Sequence, residues 1–281
     1  MPFKFEKPIA VKSGSKSTKK VTSSTLKNKE VEARLLDRKN NFEKGDFEKS
    51  DFTEANLRSC YFNGSCLTDS TFRQAVFDRS DFNKASFCGG DFDLAVFEKN
   101  KFFHTTFTEP YFDRTIFLNV NYDYAEFENA TFKNVQFLKK AEFEEAEFSD
   151  LEFKKVEATD STFIRCDISD SEFKHCDLTQ SIFLDVDFSD STVVEARCDR
   201  ATFTSVSFVG TSFIDAKFHD VEFYRTDFSM RVRFSDCDFT SAEFNGSCMR
   251  NVDFRNVDFT GADFTGAVFD PDFLAKPVVT S

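Results

Sequence analysis

The sequence predicts an all-β protein whose chain winds into a parallel β-helix over most of its length. Two observations predict this fold: a large apolar residue recurs at every fifth position, and a small or β-branched residue stands two positions before it. From Phe42 to Phe269 there are 46 such five-residue units, and 37 of their central residues are Phe. One extra residue interrupts the count in LKKAEF, and a second one interrupts it in SMRVRF.

The order of residues within one unit explains why the chain should coil. Neighbouring side chains of a strand face opposite ways, so a small, a polar and a large residue in succession form a short strand with both apolar residues inside. The two polar residues that follow turn a corner. A unit that always turns the same way winds into a coil, and stacked coils pair as parallel strands about 4.8 Å apart. The expected sense is right-handed, as in other parallel crossovers.

The segments that flank the repeats divide the chain into four parts. Asn28 is a suitable N-cap, and Val31 and Leu35 share one face of a short helix that would cover the first coil. Such covers protect the open ends of a solenoid from aggregation. The predicted parts are a flexible basic tail (1–27), an N-terminal helical cap (28–40), the repeat β-helix (41–270) and a C-terminal cap or tail (271–281).

The charge of the chain is divided unequally between its ends and its body. The net charge is −13, but residues 1–40 carry a net +7, so that residues 41–281 carry −20. An acidic body argues against binding of nucleic acid or an anionic membrane by its surface, because both need basic patches. The expected partner is a basic protein. Monomer and weak dimer both remain open as oligomeric states.

The sequence has no apolar run long enough to span a bilayer and no secretory signal at its start, so the cytoplasm is the expected location, with secretion as an effector left open.

Of the eight cysteines, four fall at small inward positions and one at a centre, where free thiols act as small hydrophobic groups. The pattern favours a reducing compartment. His104, His175 and His219 fall at outward positions of different coils. We therefore expect no enzyme activity, no metal site and no cofactor.

The five-residue unit resembles the pentapeptide repeat family, as in Ala55-Asn56-Leu57-Arg58-Ser59 and Ala262-Asp263-Phe264-Thr265-Gly266. The resemblance covers about residues 41–270. It implies a right-handed quadrilateral β-helix with four units in each coil. The 46 units would then form about 11–12 coils and a rod about 55 Å long.

With four units in each coil, one face of the rod is predicted to be acidic. Its outward residues are Glu126, Glu128, Glu147, Asp150, Asp167, Asp170, Asp187 and Asp190, with no Lys or Arg among them. The next face carries Lys133, Lys154, Lys155 and Lys174 instead. Stacked carboxylates repel one another, so two interpretations stay open: a solvated face whose Asp residues stabilise turns, or a stripe that binds a basic protein. A cation site would need the clustered ligand spacing of calcium loops, which is missing.

Several positions depart from the regular pattern. The two insertions, near Lys139–Ala141 and Ser229–Arg233, are expected to form bulges, which either only kink the coil or contact a partner. Asn100 and Pro110 occupy small inward positions, so the coil around residues 100–112 is expected to be distorted. Phe103 should face outward and is a candidate contact residue.

Two functions from different classes fit this rod. The first is a non-enzymatic scaffold or adaptor that holds a partner on one face, as most repeat rods do. The second comes from the resemblance: some pentapeptide repeat proteins mimic duplex DNA, bind type II topoisomerases such as DNA gyrase and confer fluoroquinolone resistance. The chain departs from those members in its short C-terminus, PDFLAKPVVTS, which has no helical period, and in insertions of only one residue. The scaffold is therefore the favoured interpretation.

Overall fold

The computed structural model describes residues 41–118, 120–128, 130–138, 142–146, 148 and 151–270. The described residues form short strands and turns, and none of them is helical. The strands are β1 (Asn56–Arg58), β2 (Val76–Asp78), β3 (Ser86–Cys88), β4 (Val96–Glu98), β5 (Thr106–Thr108), β6 (Tyr111–Asp113), β7 (Ile116–Leu118), β8 (Glu126–Glu128), β9 (Thr131–Lys133), β10 (Gln136–Leu138), β11 (Glu142–Glu144), β12 (Glu152–Lys154), β13 (Thr162–Ile164), β14 (Glu172–Lys174), β15 (Ile182–Leu184), β16 (Thr192–Val194), β17 (Thr202–Thr204), β18 (Ser212–Ile214), β19 (Glu222–Tyr224), β20 (Arg233–Ser235), β21 (Cys248–Met249), β22 (Asp253–Arg255) and β23 (Val268–Phe269).

All strand pairs are parallel, and paired strands lie 20 or 21 residues apart along the chain. Four units therefore complete one coil, as the family resemblance implied, and the coil has four faces. We number the faces by their first central residue: Phe42 opens face 1, Phe47 face 2, Phe52 face 3 and Leu57 face 4. Face 3 holds an eight-stranded sheet from β6 to β22, and face 1 holds the sheet of β11, β13, β15, β17 and β19.

The central residues of face 1 form an unbroken column of rings. Twelve aromatic rings, from Phe42 to Phe264, stack in eleven steps of 4.6–5.2 Å between ring centroids, and each ring is nearly parallel to the next. Rings of neighbouring faces meet edge to face, as Phe42 and Phe47 do at 5.6 Å. Both arrangements suit the ring quadrupole, so the Phe period specifies the interior of the rod.

The small inward residues join successive coils by hydrogen bonds. The Ser171 hydroxyl donates to the Phe148 carbonyl in the coil before it (2.8 Å) and accepts from the Leu151 N–H (3.1 Å). Asn100 does the same with its amide, between the Phe77 carbonyl and the Ser80 N–H. These polar groups are buried, and the bonds remove the cost of burying them. The small inward position therefore tolerates hydroxyl and amide side chains that can hydrogen-bond to the backbone of the preceding coil.

Every regular corner among the described residues has one residue with positive φ, two positions after the central residue. Some corners, such as Phe42 to Gly45, also close with a hydrogen bond from the fourth residue to the first, as a type II turn does. Residues with β-branched side chains are absent from these positions among the described corners. This matches the steric cost of a branched Cβ in the left-handed region.

The second insertion widens a corner and leaves the strands intact. Met230 and Arg231 have successive φ values of 59° and 73°, and β18 still pairs with β20 in register on the far side. The expected bulge in a strand is therefore a wider turn. The first extra residue falls between β10 and β11, and both strands keep their pairing.

The distortion expected around residues 100–112 is wrong. Asn100 is buried and hydrogen-bonded as described above, and the bridges Lys101↔Asn121 and Asp91↔Tyr111 keep the regular register. Pro110 is the fourth residue of its corner. Other corners among the described residues also lack a hydrogen bond from the fourth residue to the first. Its missing N–H therefore removes no bond that such a corner needs.

The interior contains an apolar cavity near Ala158. Here a small residue replaces the Phe of face 4, and an apolar cavity of about 20 Å³ remains. It is lined by Phe143, Phe153, Ala158, Phe163, Phe173 and Leu178. The volume is about that of one water molecule, but the apolar walls offer no hydrogen bonds to a water.

The predicted tail (1–27), helical cap (28–40) and C-terminal segment (271–281) lie outside the described residues. Within the described ranges, no helix has the length and apolar character needed to cross a bilayer.

Candidate functional site

Six of the eight predicted acidic residues are described, and all six lie exposed on face 2. Glu126 and Glu128 belong to β8, and the Asp residues follow in the coils centred on Ile168 and Phe188. The stacking of Phe127 on Phe148 at 4.9 Å links the two parts of the face. Glu147 and Asp150 lie outside the described residues. We call the set Glu126, Glu128, Asp167, Asp170, Asp187 and Asp190 the acidic stripe.

Local hydrogen bonds explain two of these Asp residues. Asp167 Oδ1 accepts from the Ser169 N–H (3.0 Å) and hydroxyl (2.7 Å), and Asp187 makes the same contacts with Ser189. Such bonds stabilise turns. In the same arrangement the Thr260 hydroxyl and N–H lower the pKa of the Asp258 carboxyl below its usual value. Turn formation therefore accounts for Asp167 and Asp187 without a partner.

The other four carboxylates accept no such turn bond from the described residues, although the positive φ of two of them suits Asp. Asp170 and Asp190 occupy corner positions with φ of 54° and 56°. From the described residues, Glu126 and Glu128 receive only long contacts, from the Thr106 and Thr108 hydroxyls at 3.4 and 3.5 Å. The side chain of Asp190 fills the space beside Gly210, where an added Cβ would lie 2.1 Å from Asp190 Oδ1. In the next coil Ser207 and Gly210 take the places of Asp187 and Asp190, so the stripe ends at Asp190.

The acidic stripe has no countercharge of its own. Among the described residues, no Lys, Arg or His nitrogen lies within 4.0 Å of its six carboxylates. The predicted lysines stand on face 3, where Lys133, Lys154 and Lys174 follow one another in register. Two of them have acidic neighbours, Lys133 with Asp113 at 3.6 Å and Lys174 with Glu172 at 2.6 Å. Solvent ions or a partner must therefore offset the repulsion between the carboxylates on face 2.

The cysteines and histidines lie where the sequence predicted them. Cys60, Cys166, Cys176, Cys198 and Cys237 are buried, and Cys66, Cys88 and Cys248 are partly exposed. Burial raises the pKa of the Cys60 and Cys176 thiols to about 12, so they are unreactive at neutral pH. His104, His175 and His219 stand on faces 1, 3 and 4. No group of His, Cys, Asp and Glu in the described part of the chain could hold a metal ion.

The structure adds an aromatic cluster that the sequence analysis found only in part. Phe103 is exposed as predicted, and its ring lies 4.3 Å from the His104 ring and 5.2 Å from the Tyr124 ring, between centroids. The His104 and Tyr124 rings are 4.9 Å apart. Tyr124 stands one coil after Phe103 and His104. Adding the coil period of 20 residues to His104, the neighbour of Phe103, gives Tyr124, and this is the signal that would have found it.

Sequence comparison identifies the repeat. A profile of the pentapeptide repeat region matches residues 138–213 and 156–230, and a profile of pentapeptide repeats in eight copies matches residues 41–74, 55–93 and 233–270. Together these matches cover more than half of the 281 residues. The chain belongs to the pentapeptide repeat family. No curated protein gives a significant match to this pentapeptide repeat protein.

Solved structures resemble the rod at low sequence identity. HetL, a pentapeptide repeat protein involved in heterocyst differentiation regulation from the cyanobacterium Nostoc sp. strain PCC 7120, is 14% identical, with coverage of 86% of this chain and 96% of HetL and a TM-score of 0.30. A trypsin-treated QnrB1, a plasmid-mediated fluoroquinolone resistance protein, is 16% identical, with coverage of 89% of this chain and 91% of QnrB1 and a TM-score of 0.29.

The A-module of Azotobacter vinelandii mannuronan C-5 epimerase AlgE4 is 9% identical, with coverage of 80% of each chain and a TM-score of 0.29. At such identities and TM-scores, these similarities concern the fold alone and say nothing about what this pentapeptide repeat protein binds.

Proposed function

We propose that the protein is a non-enzymatic, rod-like scaffold or adaptor that binds a basic protein through face 2. The observation that carries the proposal is the acidic stripe, six exposed carboxylates without a countercharge among the described residues. A basic partner would replace carboxylate repulsion by attraction, and it would be steered to the rod by the acidic body. The eight free cysteines support a cytoplasmic location, and secretion as an effector is the alternative.

The proposal is tested by removing charge from face 2 without changing the backbone. Asn is a suitable replacement because its amide oxygen can accept the bonds from Ser169 and Ser189, and because Asn tolerates the positive φ of the corner positions. The face 2 variant carries Asp167→Asn, Asp170→Asn, Asp187→Asn and Asp190→Asn. A matched control removes four exposed charges from the other faces: Glu157→Gln, Asp160→Asn, Asp215→Asn and Glu222→Gln.

The first measurement uses a fluorescent decalysine peptide at low ionic strength. We expect the face 2 variant to bind it about 10-fold or more weakly than the wild type and the control variant to bind within about 3-fold of the wild type. Equal weakening in both variants would mean that only net charge matters, and the stripe would then be an ordinary solvated face. A pull-down with the same three proteins then identifies partners that depend on face 2.

The alternative proposal is a DNA-mimicking inhibitor or protector of a type II topoisomerase, with DNA gyrase as the target. Its support is a four-sided rod with a net charge of −20 in residues 41–281. The test is a gyrase supercoiling assay, with and without a fluoroquinolone, at micromolar protein. Inhibition or protection that disappears in the face 2 variant would support this function. If supercoiling and quinolone sensitivity are both unchanged, the topoisomerase role is excluded and the scaffold proposal is unaffected.

A further inference from the structure

Phe103, His104 and Tyr124 form an exposed aromatic surface on face 1. In adjacent coils, Phe103 lies opposite Asp123 and His104 lies opposite Tyr124, as the bond from the His104 N–H to the Asp123 carbonyl (3.3 Å) shows. The three rings and the Asp123 carboxylate thus occupy four neighbouring positions, two in each of two adjacent coils. All other Phe residues in the described part of the chain occupy central positions inside the rod, and Phe103 alone stands outside with 37% of its surface exposed.

The aromatic surface borders the acidic stripe. Tyr124 and Glu126 stand on either side of one corner, separated only by the buried Ala125. Asp123 accepts a hydrogen bond from the Asn121 amide (2.7 Å), and no ion pair between described residues involves Asp123 or Glu126. Lys84 stands in the coil before His104, on the side away from Tyr124. A cation over the rings would therefore be drawn toward Asp123 and Glu126.

The same face contains one exposed ring that already contacts an arginine of the chain itself. At Tyr224, which has the same place in its unit as Phe103, the guanidinium carbon of Arg225 lies 4.9 Å from the ring centroid. This is the distance of a cation–π contact. In the coil of Phe103, the place of Arg225 is taken by His104, which is itself part of the aromatic cluster. Among the described residues, therefore, no arginine lies over the rings of Phe103 and Tyr124, in contrast to Tyr224.

We propose that Phe103, His104 and Tyr124 are the docking point for an arginine side chain of the basic partner. The guanidinium plane would stack on the Tyr124 ring and hydrogen-bond to the carboxylate of Asp123 or Glu126. Arginine fits better than lysine because its planar group stacks on rings and binds carboxylates through two bonds at once. The proposal deepens the proposed function and rests on it, since it names the side chain of the basic partner that binds beside face 2.

The test compares fluorescent decaarginine and decalysine at pH 8 and low ionic strength. The aromatic variant, Phe103→Ser with Tyr124→Asn, alters two outward positions, and Asn suits the φ of 57° at residue 124. We expect it to bind decaarginine about 5-fold or more weakly than the wild type, while decalysine binding changes by less than about 2-fold. The control variant, Tyr61→Ser with Tyr224→Ser, removes two exposed rings elsewhere on the rod and should keep the preference for arginine.

A second variant reports on the site directly. The chain contains no Trp, so Tyr124→Trp places the only indole of the protein in the cluster and keeps an aromatic face that binds cations well. Decaarginine should change the fluorescence of this introduced indole at concentrations that match its dissociation constant, and decalysine should need higher concentrations. The matched variant Tyr61→Trp should show no difference between the peptides.

The outcomes separate this inference from the proposed function. Loss of arginine preference in the aromatic variant, with loss of both peptides in the face 2 variant, supports both. Loss of arginine preference while the face 2 variant binds normally supports the docking point and contradicts the acidic stripe. If the aromatic variant and the wild type bind decaarginine equally, or if both peptides weaken equally, the docking point is wrong.

Discussion

Tyr122 is the one ring of the face 1 column that carries a polar group. It is fully buried between Phe102 and Phe143, at 5.2 and 4.9 Å, and its hydroxyl has no hydrogen-bond partner among the described residues. Burial raises the pKa of Tyr122 well above its usual value. A buried hydroxyl without a partner costs stability that Phe at the same place would not.

We expect Tyr122→Phe to raise the free energy of unfolding by about 1–3 kcal/mol, because the ring stack is kept and the unpaired group is removed. Urea unfolding of the wild type and the variant measures this difference. Tyr111→Phe, at an exposed ring, is the control and should change stability by less than about 0.5 kcal/mol. A loss of stability in Tyr122→Phe would show that the hydroxyl has a partner.

The buried thiols give the fold a dependence on alkaline pH. The pKa of Cys176 is about 12 in the folded protein because the thiol is buried, while a thiol in the unfolded chain has a pKa of about 8.5. Below about pH 8.5 both states keep the proton and the contribution is constant. Above it only the unfolded state releases the proton, so each such thiol lowers stability by about 1.4 kcal/mol per pH unit until the folded pKa is reached.

We therefore expect Cys176→Ala to reduce the slope of stability against pH between about pH 9 and pH 11 by about 1.4 kcal/mol per pH unit. Val156→Ala, at the same buried position one coil earlier, removes no titratable group; it is the control and should leave the slope unchanged. Urea unfolding at several pH values gives the slopes. Equal slopes for all three proteins would mean that Cys176 ionises in the fold as readily as in the unfolded chain.

At the scale of the single coil, two kinds of corner depend differently on the hydroxyl above them. Leu151 ends a corner whose N–H donates to the Ser171 hydroxyl. Ser191 ends a closed corner whose N–H already donates to the Phe188 carbonyl (3.3 Å), and the Thr211 hydroxyl above it donates to the same carbonyl (2.7 Å). Loss of the first hydroxyl leaves a buried donor without a partner, whereas loss of the second does not.

This difference predicts unequal costs for two similar substitutions. Ser171→Ala should lower the free energy of unfolding by about 2–3 kcal/mol, since it removes two bonds and leaves the Leu151 N–H unpaired. Thr211→Val removes one bond and should cost about 1 kcal/mol. Both residues are buried at the corner between faces 2 and 3, so they form a matched pair. Equal costs would indicate that water or backbone movement satisfies the Leu151 N–H.

The sequence predicted most of this architecture because the period of five is a direct record of which side chains lie inside. It assigned the central residues and the five buried cysteines by counting alone, and it assigned the acidic face once the family resemblance supplied four units for each coil. It did not predict the wide turn at Met230 and Arg231, because nothing in the count says whether an extra residue enters a strand or a corner. It found Phe103 but missed Tyr124, because that contact crosses between coils.

The expected distortion at Asn100 and Pro110 failed for another reason. The polarity of Asn100 and the missing N–H of Pro110 were weighed alone, without the coil beneath each residue. The Ser80 N–H and the Phe77 carbonyl satisfy the Asn100 amide. Pro110 lies above Gly90, one coil earlier, where no side chain opposes its ring. A regular rod offers every side chain the same neighbours one coil away, and these neighbours decide which exceptions it tolerates.

For the whole rod, the acidic body should make stability depend on ionic strength. Residues 41–281 carry a net −20, and carboxylates of the acidic stripe stack coil over coil without a countercharge among the described residues. At low salt these charges repel one another over about 30 Å, and at about 1 M salt over about 3 Å. Folding brings them together, whereas the unfolded chain spreads them apart, so repulsion lowers the stability of the folded rod.

We expect the unfolding temperature of the wild type to rise between about 10 mM and about 1 M NaCl, and to rise less in the face 2 variant. At the lower salt concentration the face 2 variant should unfold several degrees higher than the wild type, because Asn keeps the turn bonds and removes four stacked charges. The variant with four charges removed from the other faces should gain less, since its four carboxylates come from three different faces and do not stack on one another. Differential scanning calorimetry at both salt concentrations distinguishes the cases. If the two variants gain equally at low salt, face 2 carries no special repulsion for a basic partner to relieve, and the proposed binding face loses its physical basis.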